Sequence, residues 1–325
     1  MSAPSPQPSA QTAQREFVTF GPVQLNVVDR DRSVAWWRDL IGLQLISERD
    51  GPAELGIEGT PLVVLRATAT SPVRRGCIGL YHLAIYPPNE PELARVLARL
   101  QQSGHSFGTT DHAVAKSLYV NDPDGIGLEI AIETPERVKL VRWPETETEP
   151  VIIAADGRRR GGVEPLDVDQ LLAALPDGDL TRPLPPGTKV GHVNLHVPDL
   201  KAAYSFYRDR LGFLQSNYAP LAGFGDLGAG IPLTHRIAVN TWQGIGAPPR
   251  PKGMAGMDHF TLRFDSLERL REVLTRLEGV EQLREDYVTW DRPGEVLRRA
   301  DGVERRGRND VVRDPAGNRI VLTAA

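Results

Sequence analysis

The sequence predicts an α+β fold assembled from four copies of a βαβββ module. Three observations carry that prediction. Gly21-Pro-Val-Gln-Leu-Asn-Val-Val-Asp29 recurs as Gly191-His-Val-Asn-Leu-His-Val-Pro-Asp199, an offset of 170 that continues without gaps from Trp36–Gly42 to Phe206–Gly212. A weaker copy of the opening strand stands in each half, Leu80-Tyr81-His82-Leu83-Ala84-Ile85 and Met257-Asp258-His259-Phe260-Thr261-Leu262. Asp-Pro-x-Gly, a strong turn signal, precedes a closing apolar strand at 122–125 and again at 314–317.

Each module opens on an alternating strand: Val23, Leu25 and Val27 share a face in the first, Val193, Leu195 and Val197 in the third. A helix follows. Its apolar stripe is Leu93, Val96, Leu97 and Leu100 in the second module, and Leu267, Leu270, Val273, Leu274 and Leu277 in the fourth. Short strands close the unit, ending on Leu128-Glu129-Ile130 and Ile320-Val321-Leu322. The module limits are 20–67, 78–133, 189–243 and 255–324. Two larger units result, 17–135 with modules one and two, and 189–325 with modules three and four. Residues 136–188 form a connector rich in Pro, Gly and charge, with a short helix expected over Asp167–Leu175, capped by Asp167. Residues 1–16 are expected as a disordered lead without an export signal.

The 325 residues carry 38 Lys and Arg against 42 Asp and Glu, a net charge of −4, which argues against a nucleic-acid binder working through a basic surface. No apolar run approaches the roughly 18–20 residues of a membrane span. The single cysteine, Cys77, excludes internal disulfides and thiolate metal clusters and suits a reducing cytoplasm. Any metal ligands must therefore come from carboxylates and the seven histidines: 82, 105, 112, 192, 196, 235 and 259.

Leu80-Tyr81-His82, Asp122-Pro-Asp-Gly-Ile-Gly-Leu-Glu-Ile130 and Gly191-His-Val-Asn-Leu-His-Val197, in this order, resemble the vicinal-oxygen-chelate superfamily and within it the bacterial catechol 2,3-dioxygenase group. The resemblance implies two cupped sheets of the glyoxalase-like fold and a non-haem Fe(II) site, with Mn(II) also accepted by His and carboxylate donors. It implies an aromatic diol and O2 as substrates, no nucleic-acid or membrane partner, and a muconate-semialdehyde-type product. The sequence leaves a homo-oligomer open.

The resemblance also implies ligands on the first and last strands of modules. The first-strand positions are Pro22, His82, His192 and His259; the last-strand acid is Glu129 in module two, replaced by Val321 in module four. Pairing module three with four gives two histidines and no acid. Pairing two with three gives His82, His192 and Glu129, a complete triad, and leaves Pro22, His259 and Val321 together as an empty site. The expected metal ligands are thus His82, His192 and Glu129, with His259 structural. Strand alternation puts His192, Asn194 and His196 on one face and Gly127, Glu129 and Ala131 on another, small residues leaving room beside Glu129.

From the same resemblance Tyr119, ten residues before Glu129, is expected to hydrogen-bond the bound diol, and His235 to act as acid and base, a task that suits imidazole near neutral pH. His112 is expected to meet a substrate oxygen, His196 to lie in the pocket farther from the metal, and His105 to be a turn residue. Two other functions remain within the superfamily: a glyoxalase-type isomerase, which wants a further carboxylate from the paired module, and a metal-free binding protein. The acid-free stretch 227–257 argues against the first and the complete triad against the second.

Overall fold

The computed structural model describes residues 15–48, 51–278 and 310–325, together with three two-residue strands between the last two segments. The expected lead falls outside the described residues up to residue 14. Module one supplies β1 (Val18–Asn26), β2 (Gln44–Ser47), β3 (Ala53–Ile57) and β4 (Thr60–Arg66). Module two supplies β5 (Gly79–Tyr86), β6 (Phe107–Asp111), β7 (Ala115–Asn121) and β8 (Gly127–Glu133). The connector adds β9 (Val138–Arg142), β10 (Val151–Ala154) and β11 (Arg159–Arg160). Module three supplies β12 (Lys189–His196), β13 (Leu214–Ala219), β14 (Phe224–Gly228) and β15 (Ile237–Asn240). The fourth supplies β16 (Gly256–Phe264), β17 (Gln282–Leu283), β18 (Leu297–Arg298), β19 (Glu304–Arg305), β20 (Asp310–Arg313) and β21 (Arg319–Ala324).

Two eight-stranded sheets result. One runs β17-β20-β21-β16-β1-β4-β3-β2, joining modules four and one; the other runs β13-β14-β15-β12-β5-β8-β7-β6, joining modules three and two. In each, the opening strands of two modules pair antiparallel at the centre, β1 with β16 and β5 with β12. The units 17–135 and 189–325 therefore each send one module to each sheet. The fold is the α+β arrangement of four modules that the repeat predicts, in the two sheets that the resemblance implies.

The identical positions of the repeat have identifiable jobs. Val23, Leu25, Val193 and Leu195 are fully buried on the face that the helices cover. Asp29 and Asp199 cap the helices α1 (Arg30–Trp36) and α4 (Leu200–Ser205), each side chain accepting from the backbone N–H three residues on. Both helices run on into a single π-helical turn, Trp37–Ile41 and Phe206–Arg210. Gly42 and Gly212 then reverse the chain at φ +93° and +82°, where a side chain would be strained. The helix α2 (Glu90–Ser103) buries its predicted stripe, whereas α5 (Leu267–Arg276) buries Leu270 and Val273 and leaves Leu267 exposed; Asn89 and Ser266 cap them.

The connector is more structured than expected. Its helix α3 (Val168–Ala173) is capped by Asp167, but β9, β10 and β11 also form a separate three-stranded sheet. Asp111 and Glu164 exchange backbone hydrogen bonds, and Arg137 grips the Asp111 carboxylate with two N–H groups at 2.8 and 2.9 Å. The buried Arg95 and Arg99 of α2 hold the carbonyls of Asp179, Leu180 and Arg182, pinning the connector's far end. Among the described residues no helix is long and apolar enough to cross a membrane.

Candidate metal centre

The antiparallel pairing of β5 with β12 sets Asn194 opposite His82 and Ala84 opposite His192. The two histidines thus meet on one face of adjacent strands. Parallel pairing of β5 with β8 sets Glu129 beside Ala84, on that same face. The two His Nε2 atoms lie 2.9 Å apart, and Glu129 Oε2 stands 3.0 Å from His82 Nε2 and 3.1 Å from His192 Nε2. All three residues are buried. Among the described residues this is the one group of three or more such side chains that converges closely enough to hold an ion.

The triangle tests whether a metal fits. Three donors at mutual right angles, about 2.1 Å from one ion, stand about 3.0 Å apart; a tetrahedral set would stand about 3.4 Å apart. The observed edges match one face of an octahedron. His192 and Glu129 are also in the protonation states an ion needs. Burial and the neighbouring His235 push His192 down to about 3, so its ring is neutral. Burial alone would raise Glu129, but His192 and His82 hold its carboxyl well below the usual range, so it is ionised.

Pseudo-symmetry explains why this sheet holds a site and its partner does not. His82 and His192 occupy related places. In β12 and β15, Asn194 pairs with Ala238, so Ala238 stands where Glu129 stands in module two. The corresponding places in the other sheet are Pro22, Val64, His259 and Val321. One sheet has three donors at four related places; the other has one. His259 hydrogen-bonds Asp258 at 2.9 Å, and Asp258 also pairs with Arg319 at 3.2 Å.

The other expected residues gather around the triad. Tyr119 O–H lies 3.1 Å from Glu129 Oε1 and 2.8 Å from His112 Nε2. His112 Nδ1–H donates to the Gly162 carbonyl at 2.7 Å, so the connector fixes this ring's tautomer and leaves Nε2 as the acceptor in the neutral ring. The His235 ring lies over His192, centroids 4.4 Å apart, with Nδ1 4.0 Å from Asp226 Oδ2. His235 lines a cavity of about 410 Å³, with Val114, Val141 and Leu233 among its apolar walls. His196 stands apart from the triad, bonded to Asn240 Oδ1 at 2.6 Å and against the Tyr81 ring. His105 is more than a turn residue: it accepts the Trp36 indole N–H at 3.0 Å.

Two contributors escaped the sequence analysis. Tyr86 O lies 2.7 Å from His192 Nδ1, and alternation from His82 through Ala84 to Tyr86 was the signal that pointed to it. Arg236, almost fully buried, stacks over the Tyr86 ring and pairs with Glu133 of β8 and with Glu16, so residue 16 anchors one end of the site sheet. No local pattern marks that pair. His82 has no such support: its Nδ1 is buried without a hydrogen-bond partner, and the rings of Tyr81 and Tyr119 flank it.

A sequence model described as the Glyoxalase/Bleomycin resistance protein/Dioxygenase superfamily matches residues 19–130 and 189–322, leaving out the connector. A catechol-2,3-dioxygenase of Bacillus subtilis (strain 168) is 33% identical over 271 residues, covering 82% of this chain and 90% of that one. A solved structure from Bacillus subtilis subsp. subtilis str. 168 superposes with a TM-score of 0.57 at 13% identity, covering 96% of this chain and 86% of that one. Glyoxalase I from Zea mays superposes with a TM-score of 0.53 at 16% identity, covering 94% and 92%. These two structural likenesses speak to the fold. With its four modules matched in both halves, the chain belongs to the glyoxalase/bleomycin resistance protein/dioxygenase superfamily.

Proposed function

We propose that the protein is an extradiol ring-cleaving dioxygenase, inserting both atoms of O2 into a catechol-type aromatic diol to give a muconate-semialdehyde-type product. The near-equilateral triangle of two His Nε2 atoms and one Glu Oε atom carries this reading, because such a face leaves the opposite positions open for a chelating diol and O2. The 33% identity with a catechol-2,3-dioxygenase supports it. Fe(II) is the ion the reading requires; Mn(II) would suit the same donors. When bound, the ion supplies Lewis acidity toward the diol hydroxyls and a path for electrons to O2.

The chain's own residues then bind, orient and move protons. His82, His192 and Glu129 hold the ion. Burial and Glu129 keep the Tyr119 phenol protonated well above its usual range, so Tyr119 is a donor to a diol oxygen. Its one proton faces two acceptors, Glu129 Oε1 and His112 Nε2. His112, its Nδ1 proton tied to Gly162, can accept a proton only at Nε2. His235, its ring beside His192 and its Nδ1 4.0 Å from Asp226 Oδ2, is placed to take the diol proton and return it to oxygen. Val114, Val141 and Leu233 wall the cavity beside His235 with apolar surface. The glyoxalase-type alternative wants a fourth donor, and Ala238 stands in that place. A metal-free binding protein would bury Glu129 between two histidines with no ion to balance it, which is costly.

The test is oxygen uptake by anaerobically Fe(II)-loaded protein given catechol, with a yellow ring-cleavage product followed optically. Uptake with product is expected. No uptake over a panel of catechols and hydroquinones, despite stoichiometric iron, refutes the reading.

A further inference from the structure

We infer that the diol taken by this site carries an ionised acidic substituent, received by Arg74 and Arg75; the inference rests on the ring-cleavage reading and narrows it. A cleft of about 1070 Å³ opens between the two sheets, and both His82 and Tyr119 line it. Arg74, Arg75, Arg250, Arg313 and Arg319 line the same cleft, and among its described lining residues Asp258 is the one carboxylate. In a chain of net charge −4 this is a local reversal of sign beside the candidate centre.

The charges of Arg74 and Arg75 are not answered within the described residues. Asp258 is shared between Arg319 and His259. Arg250 donates to the carbonyls of Met254 and Met257, and Arg313 to that of Gly317, which satisfies N–H groups without neutralising charge. Arg74 and Arg75 are exposed and enter no ion pair among the described residues.

Residues 73–78 hold these two arginines at the mouth. Val73 N–H donates to the Asp124 carbonyl at 2.8 Å, Gly76 N–H to the Gln243 side chain, and Ile78 N–H to the Pro248 carbonyl at 2.9 Å. Gln243 in turn reaches His196 at 3.3 Å. The segment is thus tied to the turn before Glu129 on one side and to the loop after β15 on the other. A low-dielectric cleft lined by one sign of charge concentrates ligands of the other sign. A neutral diol makes no use of that field.

The test uses 3,4-dihydroxyphenylacetate and 3,4-dihydroxyphenylacetamide, which share the diol and nearly share size but differ in charge. With Fe(II)-loaded protein at low salt, kcat/KM should favour the acid by about tenfold, and the ratio should fall toward one at about 0.5 M salt and in R74A/R75A. Cleavage of both at equal kcat/KM, or a ratio that R74A/R75A leaves unmoved, overturns the inference while the ring-cleavage reading stands. If neither is cleaved, calorimetry of phenylacetate and phenylacetamide on the metal-free protein decides. Acid binding at least about fivefold tighter, lost in R74A/R75A, supports the inference while the ring-cleavage reading falls. Equal or absent binding overturns it.

Discussion

Replacing Tyr86 with Phe removes one oxygen atom and keeps the ring that packs with Ala84 and Ala131 under Arg236. The lost atom is the hydrogen-bond partner of His192 Nδ1, at 2.7 Å. Without a metal, the neutral His192 ring can place its proton on Nε2, 3.1 Å from the Glu129 carboxylate, and Nδ1 then needs no acceptor. With a metal, Nε2 gives its lone pair to the ion and the proton must sit on Nδ1. In Tyr86→Phe that N–H is buried without a partner, and the penalty falls on the metal-bound state. A buried unsatisfied donor costs about 1–3 kcal/mol, or about 5- to 150-fold in affinity. Losing the outer hydrogen bond of a metal-ligating histidine typically costs about 10- to 100-fold, in the same range. The assay is anaerobic competition for Fe(II) against a chromophoric chelator, with circular dichroism and Tm confirming that the variant is folded. A folded Tyr86→Phe protein that binds Fe(II) within about twofold of the parent refutes the assignment of Tyr86 as the group that orients His192.

Three further outcomes are expected. His82→Ala and His192→Ala should each lose stoichiometric metal by elemental analysis, while His259→Ala retains it; loss in all three would contradict a single centre between modules two and three. Arg236→Met leaves Glu133 and Glu16 without their cation in a nearly closed site, so chemical denaturation should show a loss of about 3–5 kcal/mol, and a change under 1 kcal/mol would show that the pair is not structural. Burial alone would raise Asp111, but Arg137, the Ala113 N–H and Arg160 bring it down to about 2, below its unfolded value near 4. Its stabilising effect is therefore fully present above about pH 4 and lost as pH falls through 2. The Tm gap between the parent protein and Asp111→Asn should be constant above pH 5 and close on acidification; a gap independent of pH would show that the carboxylate charge is not involved.

The repeat is legible because its identities are physical necessities at each copy: a cap at Asp29 and Asp199, a left-handed turn at Gly42 and Gly212, a buried face at Val23 and Val193. The partnering of modules is legible for a different reason. Few residue types can ligate, so Pro22 and Val321 narrow the choice of pairing that strand periodicity leaves open. What stays hidden depends on residues distant in the chain. The connector strands β9–β11 are only two to five residues long, and Asp111, Arg137 and Glu164 acquire their partners only once the chain is folded. Tyr86 looks like an ordinary strand-end aromatic until β12 brings His192 beside it. Asp226 lies just outside the acid-free stretch and gains meaning from His235, nine residues on.

The partnering of modules has a consequence for how the molecule assembles. The modules close like nested brackets, two with three inside one with four. The inner sheet is complete in a contiguous stretch from Gly79 to Asn240, whereas the outer sheet must join Val18 to Phe264 and cannot finish before β21 at 319–324 is available. During synthesis one edge of β1 therefore waits for β16, made more than 200 residues later, while β4 can already pair along its other edge. In refolding, amides of the inner sheet should gain hydrogen-exchange protection before those of the outer one. The stretch that forms first is the one that carries His82, Glu129 and His192, so the candidate centre can take shape while half of the scaffold is still open chain.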